Sequence, residues 1–151
     1  MYQVSNFMDN DDVKIIDEMG AFRVIEYQRD LSVTPSSAIT AYYSAQMNVK
    51  KRQLACNLAM APVTIQAGAM QWMLGNVNAT TGIKGVGDLF GKAVRGKVSG
   101  ESAIKPEYTG DGLLVLEPTY KYLILMNVAD WGGGVVLDDG LFLACESTLQ
   151  H

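Results

Sequence analysis

Lys84, Lys92, Arg95 and Lys97 make the densest gathering of positive charge in the chain apart from Lys50-Lys51-Arg52. Cations this close together can hold the phosphate of a lipid head group or another small anion, through an attraction that salt weakens. They do not read as a nucleic-acid site. No aromatic side chains are interleaved to stack bases, and a net charge of −4 gives no general pull toward a polyanion. The neighbouring glycines invite a phosphate-loop reading that their spacing defeats. Gly85 and Gly87 leave three residues before Gly91, where a dinucleotide loop has two. Gly87 and Gly91 enclose three residues where a P-loop has four, and Ala93 follows Lys92 where magnesium needs a hydroxyl.

Other reactive groups are present without partners. The single histidine is His151 and no Gly-x-Ser-x-Gly stretch occurs, so no serine has the base that nucleophilic catalysis requires. Cys56 and Cys145 lie in apolar runs and read as buried thiols, because an unoxidised cysteine behaves as a small hydrophobe. Zinc-type sites of histidine and paired cysteines are excluded by inventory. Glu101, Glu117, Asp138 and Asp139 form no recognisable acid–base pair. The expectation is a protein with no catalytic residues, no metal ligands and no cofactor.

The elements that would carry these residues read as many short strands. Phe22–Tyr27, Ala41–Tyr43 leading into Met47, Lys51–Met60, Val63–Ala67, Met70–Leu74 and Val77–Thr81 are rich in β-branched, aromatic or apolar residues. Ala103–Tyr108, Leu113–Glu117, Tyr120–Val128, Val135–Leu137 and Leu141–Cys145 continue the pattern. Thr109-Gly110-Asp111-Gly112, Trp131–Gly134 and Asp138-Asp139-Gly140 read as the turns between them. The fold class expected is all-β, a sandwich or barrel of short antiparallel strands. One short helix is expected near residues 88–95, capped by Asp88, with Leu89, Phe90, Ala93 and Val94 on one face.

At 151 residues, 48% hydrophobic and 19% charged, the chain reads as one globular domain, 1–151. A weak likeness between Val24–Tyr27 and Val115–Pro118 leaves open a division into similar β-units, 1–66 and 67–151, without establishing a repeat. No basic start followed by an apolar run opens the sequence, and no apolar run is long enough to span a bilayer as a helix. A cytoplasmic location with no transmembrane segment is expected, peripheral membrane contact through the basic cluster staying open. Met70, Trp72 and Met73 are the interface candidates, since methionine beside tryptophan is common where subunits meet. Simple alternation would put Met70 and Trp72 on one face and Met73 on the other.

Four segments in order carry a family resemblance: Ala67–Met73, Gly85–Lys92, Leu116–Lys121 and Leu137–Ala144. Together they resemble the altered-inheritance-of-mitochondria protein 24 family. The resemblance implies a β-sandwich unit like that of the tryptophan RNA-binding attenuation protein, repeated and assembled into rings. It carries over neither RNA nor tryptophan binding. Such proteins usually continue beyond Ala-Cys-Glu-Ser, so a shortened member is expected. The function expected is that of a non-catalytic, self-associating structural or interaction protein. The alternative is a module that binds an anionic ligand or lipid head group through Lys84, Lys92, Arg95 and Lys97.

Overall fold

The computed structural model describes residues 4–80, 105–138 and 140–150. Seven strands form one antiparallel sheet: β1 Val13–Met19, β2 Phe22–Tyr27, β3 Arg52–Asn57, β4 Val63–Ile65, β5 Met70–Thr80, β6 Glu107–Leu116 and β7 Ala144–Glu146. Their spatial order is β1-β2-β3-β6-β4-β7, with β5 paired to the other edge of β6. All-β is therefore the fold class. The sheet curls into a half-barrel. Glu146 on β7 reaches back to accept a hydrogen bond from the Ala21 amide, in the two-residue turn between β1 and β2, at 3.1 Å.

Residues on the concave, inner face alternate along the strands as a period of two demands. Val24, Leu54, Cys56, Val63, Ile65, Tyr108, Leu114 and Leu116 pack there into the main core. The opposite face carries Ile25, Gln53, Ala55 and Val115, all buried.

The structure revises several sequence expectations. Thr109–Gly112 is the middle of β6, not a turn. The two strands expected on either side of it are one, and so are the two expected between Met70 and Thr81. The glycines serve close approach instead. A Cβ on Gly112 would sit 2.4 Å from the Leu74 carbonyl oxygen, and Gly110 has φ +119 and faces the Asn76 oxygen. β1 escaped the reading because its exposed charges hide the pattern. Ala41–Tyr43 is helical, within α1 Ala38–Gln46. Asn48, at φ +62, closes that helix, with Asn48 N–H on Ala45 O and Val49 N–H on Ser44 O, a Schellman arrangement. Tyr120–Val128 keeps strand-like alternation without a ladder. Leu123 and Leu125 pack on the core while Tyr122 and Ile124 face out. Only Thr119 bridges to Arg52. Val135–Leu137 is not a strand, and of Leu141–Cys145 only the end enters β7. The expected helix near residues 88–95 lies outside the described residues.

Replacing Gly112 by alanine is predicted to cost about 2–3 kcal/mol, since backbone atoms of β5 must shift. Gly134→Ala, with open space around its Cβ position, should stay within about 0.5 kcal/mol of the parent. Urea unfolding of the two variants checks this.

Candidate functional site

Two arrangements concentrate the polar chemistry, one at the end of each sheet face. On the inner face β2 and β3 place Glu26 directly opposite Arg52. Arg52 is only 1% exposed. Its Nη2 donates to Glu26 Oε2 at 2.7 Å, and its Nη1 to the Lys50 carbonyl at 3.3 Å. Lys50 Nζ adds a second ion pair to Glu26 at 3.3 Å. The Tyr122 ring caps the guanidinium, whose carbon lies 4.1 Å from the ring centroid, and Asn48 Nδ2 donates to the Tyr122 hydroxyl at 2.8 Å. Burial opposes ionisation of Glu26, but hydrogen bonds from Gln28, Lys50 and Arg52 outweigh it and hold the carboxyl below its ordinary value. This cluster clamps the segment after β6 and the end of α1 onto the sheet. Sequence reasoning missed it, noting Lys50-Lys51-Arg52 only as a second concentration of positive charge. The signal available was a run of three cations in which the alternation of β3 turns Arg52 inward.

On the outer face a groove of about 360 Å3 runs between Phe7, Tyr27, Gln53, Gln71, Trp72 and Lys51. Gln53 is its fixed point: Nε2 donates to Gln71 Oε1 and to the Leu116 carbonyl, each at 2.8 Å, and the Tyr27 hydroxyl donates to its Oε1. Burial raises the Tyr27 phenol above its usual range. At the rim Lys51 pairs with Asp30 at 2.8 Å, and Arg29 with Asp11 and Asp12, so the rim cations are neutralised within the chain. Burial opposes ionisation of Asp30, and its bonds from Lys51 and Ser32 hold its carboxyl low all the same. The groove can accept an apolar or aromatic group against Trp72. It offers no nucleophile.

The interface candidates divide between the two faces. A bulge at Gln71 pairs Met70 with Leu116 but Trp72 with Val115, two neighbours on opposite faces of β6. Met70 therefore shares the inner face with Met73, which pairs with Leu114. This corrects the simple alternation. Trp72 turns outward and meets Phe7 edge-to-face at 5.1 Å, while Met70 and Met73 stay exposed. Lys84, Lys92, Arg95 and Lys97 lie outside the described residues.

Cys56 is buried on the inner face, and burial pushes its thiol up to about 12. Cys145 is half-buried and raised by burial as well. Among the described residues no three His, Cys, Asp or Glu side chains are placed to hold a metal, and no helix is long and apolar enough to cross a membrane.

Among the described residues, these features define an antiparallel half-barrel whose polar side chains form internal clamps. The family model described as Mitochondrial biogenesis AIM24 matches residues 43–151. The chain belongs to that family, as the four segments implied. The match starts inside α1 and covers β3 to β7, leaving β1 and β2 outside it. No curated protein and no solved structure matches the chain.

Because the folded carboxyl of Glu26 titrates below its unfolded value near 4.5, the stability it contributes is complete above that pH and lost as pH falls through the folded value. Acid unfolding followed by circular dichroism should be less steep in Glu26→Gln. Arg52→Met should cost about 3 kcal/mol by leaving Glu26 buried with only Lys50 and Gln28 as partners, and the double variant less than the sum of the singles. Cys56 should resist a thiol-labelling reagent at pH 8 until the protein is unfolded, a thiol near 12 being almost wholly protonated there.

Proposed function

We propose that this protein is a non-catalytic, self-associating structural or interaction protein. One observation carries the reading: among the described residues, exposed large hydrophobic side chains outnumber the buried hydrophobic ones of the core. Single exposed hydrophobes are ordinary, and it is where they gather that they support an interaction role. Val136 is 98% exposed, and Ile15, Ile16 and Met19 on β1 are each about two-fifths exposed.

The sheet supports the same reading. Among the described elements β1 pairs only with β2 and β5 only with β6. Each edge therefore offers a row of backbone groups to a neighbour. An assembly built edge to edge, with Met70 and Met73 beside the β5 edge, would satisfy those groups and cover that apolar surface. A ring of the kind implied by the attenuation-protein likeness is one closed form of it.

Light scattering behind a sizing column, over a hundredfold range of loading, tests this. A discrete oligomer that persists on dilution is the expected result. A monomer at every loading overturns the proposal.

A further inference from the structure

We infer that α1 is one half of a two-fold contact with a second copy of this chain, an inference that rests on the self-association proposed above. Ile39, Tyr42, Tyr43 and Gln46 follow the i, i+3, i+4, i+7 spacing of a packing stripe. Yet α1 contains no buried residue. Nine residues do not hold a helix by themselves in water, and the Thr34–Ser37 turn and the Schellman closure at Asn48 secure only its two ends. Among the described residues nothing covers the stripe.

The character of the surface selects the partner. Residues 36–49 contain no charged side chain. Tyr122 lies beside the end of the helix, because Asn48 bonds its hydroxyl. One face of the Tyr122 ring lies on Arg52 while the side chain stays largely open. Ile39, Tyr42, Tyr43, Met47 and Tyr122 are between 62% and 79% exposed. Tyrosine and methionine without lysine or glutamate is the composition of a protein interface. A membrane-surface helix would instead carry basic residues on its polar face. The cations that follow the helix, Lys50, Lys51 and Arg52, are paired to Glu26 and Asp30.

A contact between identical copies brings each surface against itself, so a chain of net charge −4 needs an uncharged patch to make one. At roughly 150–250 Å2 per buried aromatic side chain, the three part-exposed tyrosines with Ile39 and Met47 present on the order of 600 Å2. Two copies then cover about 1,200 Å2, the lower bound for a specific stable interface.

The test compares the parent protein with Tyr43→Glu by light scattering at micromolar loading, with circular dichroism to show that the sheet is intact. Among the described residues nothing buries Tyr43, so the substitution should leave the fold unchanged. The expected result is a halving of mass. A second readout is Tyr43→Cys in a Cys145→Ser background, where mild oxidation should link two chains through residue 43. A parent oligomer whose mass is unchanged in Tyr43→Glu, with no link through residue 43, overturns this inference alone and leaves edge pairing standing. A monomeric parent overturns both. A monomeric parent that sediments with phosphatidylcholine–phosphatidylglycerol vesicles, and loses that binding in Tyr43→Glu, assigns the stripe to lipid and overturns the inference as well.

Discussion

Strand β6 is the constraint on which the other elements depend. Its C-terminal half pairs with β3 and its N-terminal end with β4, while β5 runs along the whole of its other edge. It also delivers Tyr108, Leu114 and Leu116 to the core and Val115 to the outer face. A strand with that many neighbours has no room for side chains where β5 presses closest, which is why Gly110 and Gly112 stand in its middle. The glycines weaken β6 as an isolated strand and make it possible as a shared one. The bulge at Gln71 belongs to the same fit. By adding one residue to β5 it sends Trp72 outward and frees Gln71 to meet Gln53, so one irregularity builds the floor of the groove.

The inner face ends in the Arg52 cluster, and its composition shows what that cluster does. A buried ion pair contributes little net stability over an apolar pair of the same shape, because desolvating both charges offsets their attraction. What it supplies is geometry. Glu26, Lys50, Arg52, Asn48 and Tyr122 come from β2, the loop after α1, β3 and the segment after β6. Apolar contacts would allow those pieces to slide. A guanidinium with a carboxylate and carbonyls in its plane, and a ring on its face, fixes their position.

The all-β class was legible because it depends on residue type and on short periodicity, which Phe22–Tyr27 and Val63–Ile65 display openly. The family was legible because four segments recur in order. The connections were not. Thr109–Gly112 has the composition of a turn, and only the presence of β5 alongside reveals that its glycines are there for clearance. Tyr42 and Tyr43 favour strands by propensity, and the helix is decided by the Thr34–Ser37 turn before it and by Asn48 after it. Tyr120 to Leu125 alternates as a strand does, and what it lacks is a neighbour, which no local pattern can show. The Arg52 cluster joins residues more than seventy positions apart, and the alternation of β3 that turns Arg52 inward does not say which carboxylate and which ring meet it there.

That contrast bears on the surface. Where this chain uses polar groups internally it satisfies most of them: Gln53, Glu26, Asp30 and Lys51 each have specific partners, and the exceptions among the described side chains are Arg52 Nε and Gln66 Oε1. Its apolar groups are distributed with the opposite economy, since a compact core coexists with bare tyrosines, methionines and valines on α1, on the segment after β6 and around Val136. A sequence that had failed to specify its fold would be careless with both kinds of group, because an unpaired buried charge costs more than an exposed methyl. Here what is left over is mainly apolar surface, and apart from Tyr122 it lies outside the internal polar clamps. Covering it requires a further surface and no rearrangement of the clamps, so association can be added to the fold without altering it.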